Sequence, residues 1–146
     1  MSQSPRYRVF ISFQMEDLNY ANLIDAWSTN ENNEFGMYNE RLKIAINSTQ
    51  ADYVKSRIRP KIDRASVLLC LIGATTHRSS WVNWEITHAR SNGKGLVGVM
   101  LRPQNVKPSA IANAGAVFVP YARNEIAKAV DWAATAQTSS GDYSYS

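Results

Sequence analysis

Ser66-Val67-Leu68-Leu69-Cys70-Leu71-Ile72 is the stretch on which the fold turns. Apolar residues follow Ser66 without a break until Gly73. A strand with one face in water alternates apolar and polar positions, whereas a strand covered on both faces does not. The run is too short for a typical helix and is bounded by a glycine, so it predicts a central strand of a parallel sheet, sandwiched between helices.

The segments around it agree. Tyr7–Phe13 (YRVFISF) is aromatic and β-branched and reads as a first strand. Asp17 or Asn19 can cap a helix running to about Ser28. A polar loop over Thr29–Glu34 follows, then a short second strand at Phe35–Tyr38. Asn39–Ala51 is ambiguous: Leu42, Ile44 and Ile46 alternate, yet Leu42, Ala45 and Ile46 also suit a helix. Asp52–Ala65 reads as helical, and Pro60 must kink it or start a second short helix.

Beyond the decisive run, Gly73–Ser80 is a loop and Trp81–Ser91 a helix stopped by Asn92-Gly93. Leu96–Leu101 is a further apolar strand, ended by Arg102-Pro103. Ala116–Val119 is a short last strand, and Arg123–Ala136 is a closing helix with Ile126, Ala129, Val130 and Ala133 on its apolar face. Strands alternating with helices predict a doubly wound parallel sheet with helices on both faces. Ligands of such folds sit beyond the carboxyl ends of the strands, where strand order switches. Function is therefore expected in three loops, Gln14–Asn19, Tyr38–Leu42 and Gly73–Trp81.

Composition bounds the rest. The 146 residues fit one domain, taken as 1–137, with a Ser/Gly/Tyr-rich tail over 138–146 expected to be disordered. Apolar residues make up 45%, enough for a core, but no run approaches the roughly 20 residues of a membrane span. The first eight residues hold no apolar stretch, so a secretory signal is not expected. Cys70 is the single cysteine and is expected to be buried and inert, which points to a reducing, cytoplasmic setting. The net charge is +4, with Lys55, Arg57, Arg59, Lys61 and Arg64 as the densest cluster. Val54, Ile58, Ile62 and Ala65 recur there at helical spacing, which puts the basic residues on the solvated faces. No aromatic residues interleave with them, so nucleic acid is not the expected partner.

Several motifs are excluded by context. Gly93-Lys94-Gly95-Leu96-Val97-Gly98 matches G-x-G-x-x-G, but it leaves a helix and enters a strand, the reverse of a dinucleotide fingerprint. His77 and His88 lack a plausible third metal ligand. A phosphoacceptor domain of this fold class needs an Asp ending the third strand, where this chain has Gly73-Ala74-Thr75. A flavin-phosphate loop after the first strand is ruled out by Glu16-Asp17, which would repel it.

The densest constellation is Ser79-Ser80-Trp81-Val82-Asn83-Trp84-Glu85-Ile86. Ser79 or Ser80 can cap the helix. Val82, Ile86 and Ala89 share the face that must meet the sheet, and Glu85 lies about 60° from its centre at roughly 100° per residue. Trp81 lies one turn earlier on the same side. A carboxylate at the core's edge beside an indole is partly desolvated and has a neighbour able to pack a planar ligand. The plainer alternative is a helix Glu stabilised by its helix N-terminus.

Phe10-Ile11-Ser12-Phe13 followed by Asp17, the strand Val67–Gly73, and Trp81-x-x-x-Glu85 occur in the order found in TIR domains. Leu69-Cys70-Leu71-Ile72-Gly73, a Thr-rich loop and then W-V-x-x-E-I most resemble the bacterial TIR-like proteins, including those of Thoeris antiphage defence. The resemblance spans about residues 7 to 102. It implies a flavodoxin-like fold and, in catalytic members, cleavage of the nicotinamide–ribose bond of NAD, sometimes with cyclisation to a cyclic ADP-ribose isomer. NAD would be substrate, with no separate cofactor. The resemblance makes Glu85 the catalytic carboxylate and puts Phe13, Gln14, Asp17, Asn39, Ser80 and Trp81 around the substrate. For Phe13 core packing competes with stacking, and for Asp17 helix capping competes with ligand contact. Trp84 reads as packing or interface, and His88 as a surface residue or a modulator of Glu85.

The resemblance also implies self-association through TIR–TIR contacts and a nucleotide signal acting on a separate effector. Thr29–Ala51 departs from the common TIR pattern, lacking a clear second strand and following loop. That departure keeps open a second reading, an interaction module without catalysis.

Overall fold

A computed structural model describes residues 7–31, 34–36 and 45–136. Five strands alternate with helices: β1 (Arg8–Ser12), α1 (Leu18–Glu31), β2 (Glu34–Gly36), α2 (Ala51–Arg64), β3 (Val67–Ile72), α3 (Ser80–Ser91), β4 (Gly95–Met100), α4 (Ser109–Ala112), β5 (Val117–Pro120) and α5 (Arg123–Ala136). All neighbouring pairs are parallel and the order is β2-β1-β3-β4-β5. This is the doubly wound parallel sheet that the alternation predicted, in the flavodoxin-like form that the resemblance implied, with its switch in strand order between β1 and β3.

The central run behaves as its composition demands. Every residue of β3 is buried. Val67, Leu69 and Leu71 pack on one face with Ala21 and Ile24 of α1 and Ile126, Ala129, Val130 and Ala133 of α5. Leu68, Cys70 and Ile72 pack on the other with Val54, Ile58 and Ile62 of α2 and Val82, Ile86 and Ala89 of α3. Each such aliphatic side chain contributes about 1.5–3 kcal/mol by leaving water. Cys70 is buried, as expected.

Some boundaries move. α1 runs on through residues expected to be a polar loop, ending at Glu31, and β2 starts at Glu34. The strand expected over 35–38 is found at Phe35 and Gly36, while residues 37 and 38, Asn39 and the tail over 138–146 lie outside the described residues. α2 passes Pro60 as one helix, because Ile58 and Ile62, on either side of it, are both anchored in the core. α4, a single turn, is too short to have shown a periodicity. Gly93 does end α3, at φ +71°, a left-handed conformation that suits glycine.

Candidate active site at the β1–β3 switch

Two chain segments build the site. β1 alternates, so Ser12 points to the same face as Phe10, toward α2 and α3. It is fully buried opposite Cys70 in the β1–β3 register. α3 seats Val82, Ile86 and Ala89 on that face with no exposure, and this carries Glu85 inward with them. Glu85 is 0% exposed, more deeply placed than the helical wheel suggested. The Ser12 hydroxyl donates to Glu85 Oε1 at 2.5 Å across 73 residues of sequence.

The β3–α3 loop is held by its own hydroxyls. Gly73 N–H donates to Thr76 Oγ1 at 2.8 Å, and that hydroxyl donates to the Leu71 carbonyl at 3.2 Å. Ser79, not Ser80, caps α3: its Oγ accepts from Val82 N–H at 3.1 Å. Ser80 is the exposed first residue of the helix. The Thr75 hydroxyl donates to Glu16 Oε1 and lies 3.5 Å from Gln14 Nε2, so this loop is tied to the loop after β1.

Asp17 lies at the same junction. It is 6% exposed and its Oδ2 is buried without a hydrogen-bond partner. A Cβ placed on Gly73 would fall 2.3 Å from that oxygen, so the carboxyl occupies the space that the glycine leaves open. Burial, and secondarily the charge of Glu16, push the Asp17 carboxyl up to about 6.

The remaining expected site residues divide. Gln14 is half-buried in the β1 loop. Phe13 is wholly buried in the core on the α1–α5 side, the packing alternative raised for it. Trp81 is 7% exposed and packs edge-on against Trp84, with ring centroids 5.9 Å apart. Trp84 stacks on His88 and is flanked by Lys55 and Arg59 of α2. His88 Nε2 pairs with Asp63 Oδ1 at 2.8 Å, so its partner lies on α2. Among the described residues no cluster of His, Cys, Asp or Glu could hold a metal.

Ser12 and Thr76 were not singled out from the sequence. The parity of β1 marks Ser12, since a serine on a strand's helix-covered face needs a buried partner. Thr76 carries no comparable signal. A cleft of about 510 Å³ also opens between Met100, Pro103, Lys107, Phe118 and Tyr121 at the ends of β4 and β5, away from this constellation.

Fold and site together define a class: a flavodoxin-like α/β domain with a buried carboxyl at the β1–β3 switch in strand order. Residues 10–106 match the family described as Thoeris protein ThsB, TIR-like domain, and the chain belongs to that family. Solved structures share the fold at low identity. A 2-deoxyribosyltransferase from Bacillus psychrosaccharolyticus aligns with TM-score 0.62 and 14% identity, covering 81% of this chain and 90% of its own. A CMP N-glycosidase from Clostridium botulinum aligns with TM-score 0.57 and 12% identity, covering 85% and 98%. A 3-dehydroquinate dehydratase-like protein from Bifidobacterium longum aligns with TM-score 0.51 and 15% identity, covering 88% and 96%. Comparison with curated proteins gives no match. Among the described residues no helix is long and apolar enough to cross a membrane.

Proposed function

We propose that this chain is a cytoplasmic TIR-type enzyme that cleaves the nicotinamide–ribose bond of NAD, releasing a nucleotide signal for a separate effector in antiphage defence. The observation that carries the proposal is Glu85, a buried carboxyl bonded to Ser12 beside the strand-order switch of a Thoeris-family fold. Two proteins of the same fold are named for work on nucleosides, but that likeness is of fold, and the weight rests on the carboxyl.

The chemistry suits one carboxylate. Breaking the bond leaves positive charge on the ribose, as in glycoside hydrolysis. Nicotinamide departs as a neutral ring, so no general acid is needed. Glu85 stabilises the cationic sugar and grips its hydroxyls. Gln14, Asp17, Ser80, Trp81 and Asn39 are the proposed substrate contacts, and Phe13 joins them only if the core opens to free its ring. Attack by water gives ADP-ribose, and attack by a group of the same ligand gives a cyclic isomer, favoured where water is excluded.

Because Glu85 is closed to solvent, substrate entry requires the loops after β1 and β3 to part. The exposed Thr75–Glu16 contact is the one to release. Self-association through TIR–TIR contacts is the proposed trigger. The closed Glu85 is also the observation that favours the second reading, an assembly module without turnover.

The test incubates the purified chain and Glu85→Gln with NAD under conditions that promote assembly, with products followed by mass spectrometry. Nicotinamide released by the native chain and lost in the variant is the expected result. Equal release by both removes Glu85 from its role. No turnover in any assembly state, infected-cell lysate included, favours the module.

A further inference from the structure

We propose that Asp17 is the specificity carboxyl of the crevice, taking a hydrogen bond from a hydroxyl or amide N–H of the ligand's nucleoside portion and excluding phosphate from that end. This rests on the β1–β3 crevice being the ligand site.

The argument starts from an unmet need. A buried carboxylate oxygen without a partner costs folding free energy, and native structures rarely leave one unless it has a use. Asp17 Oδ2 is such an oxygen. The Asp17 backbone N–H bonds to Gln14 O at 2.8 Å, closing the turn before α1, and leaves the carboxyl to its own surroundings. It does not pair with a cation among the described residues: the charge that acts on it is Glu16, which repels. A ligand hydrogen bond to that oxygen would relieve the penalty.

Position says what that partner is. Gly73 follows β3, and the side it leaves bare is filled by Asp17. Along β3 the parity that sends Ile72 toward α3 sends position 73 toward α1, so Asp17 and Glu85 lie on opposite faces of the sheet at the β1–β3 switch. A ligand spanning the switch meets Glu85 on one side and Asp17 on the other. Glu16 and Asp17 together give the α1 side a negative potential within a chain of net charge +4. A phosphate is repelled there, whereas a ribose hydroxyl, a carboxamide or a cationic ring is accepted. The ligand therefore lies with its nucleoside portion over Asp17 and its phosphates directed away.

The test compares the full chain with Asp17→Asn and Gly73→Ala. The second leaves every charge in place and forces the Asp17 carboxyl out of its niche. With NAD as substrate, each variant should raise KM about 10- to 100-fold, the usual effect of losing a hydrogen bond to a charged group. The Tm of Asp17→Asn should hold or rise, because the unpaired charge is gone. Unchanged KM in both variants overturns the proposal, as does a fall in Tm that accounts for the lost activity. Should the native chain not turn NAD over, nicotinamide riboside and adenosine, which carry no phosphate, are used as binding probes by calorimetry. Binding lost in Asp17→Asn then upholds Asp17 while the NAD reading falls. Equal binding, or none to the native chain, overturns both.

Discussion

The Ser12 hydroxyl and the Glu85 carboxyl meet at 2.5 Å, both fully buried, one at the end of β1 and the other midway along α3. The bond ties the helix to the strand at the switch in strand order. It also holds in place the carboxyl proposed to act on substrate. Ser12→Ala removes a donor from inside the protein and should cost about 1–3 kcal/mol in urea unfolding. Replacing both partners with apolar groups leaves neither end of this bond unsatisfied. Ser12→Ala combined with Glu85→Met should therefore lie closer to the native stability than Ser12→Ala alone. A double variant that is simply the sum of two losses would show that the bond does not couple the elements.

Asp17 makes a prediction in pH. Its carboxyl is raised from 3.8 to about 6, chiefly by burial and then by Glu16. The folded chain thus holds the proton more tightly than the unfolded chain. The folded state is relatively favoured below about pH 4, loses that advantage as pH rises toward 6, and bears the full penalty above it. Asp17→Asn should accordingly be more stable than the native chain at pH 8, by about 1–3 kcal/mol, with the gain vanishing near pH 4. Chemical denaturation at the two pH values measures the difference. A gain that is the same at both would detach it from the titration of this group.

What the sequence discloses about this molecule follows physical range. β3 was legible because a strand buried on both faces has a composition that nothing else at its length has. The sheet-facing stripe of α3 was legible because Val82, Ile86 and Ala89 repeat at the helical period, and Glu85 was placed by the same geometry. The depth of Glu85 was not, since it depends on Ser12, which comes into reach only when β1 and β3 pair in register. Ser79 and Ser80 are equivalent as caps on paper. The 3₁₀ turn at Thr76–Arg78 settles the choice by delivering Ser79 in an extended conformation. Asp17 was visible as a carboxylate in the right loop, but its solitude becomes apparent only beside Gly73, 56 positions along the chain.

Two glycines of β4 should respond differently to alanine. A Cβ on Gly98 would fall 2.5 Å from the ring of Phe118, a half-buried side chain with room to move. A Cβ on Gly95 would fall 2.4 Å from the Ala133 carbonyl oxygen, which belongs to the backbone of α5. Overpacking against a movable ring costs about 1–3 kcal/mol. Displacing a helix costs more, so Gly95→Ala should be the less stable variant by at least about 1 kcal/mol in urea unfolding. Equal losses would mean that α5 shifts as readily as a single ring.

Pro60 offers a prediction that separates fold from function. It sits inside α2, exposed, and has no N–H for the Ser56 carbonyl. Alanine restores the missing backbone bond, a helix-propensity gain of about 3 kcal/mol. Against it stands the unfolded chain's extra freedom, about 1 kcal/mol. Pro60→Ala should therefore stabilise the protein by about 1–2 kcal/mol, read as a higher urea midpoint with an unchanged slope. α2 packs on α3, and its Lys55 and Arg59 flank Trp84, one residue before Glu85. If the proline shapes that contact, Pro60→Ala will alter kcat for NAD while raising stability. If it does not, kcat will stay at the native value, and the proline's effect ends within its own helix.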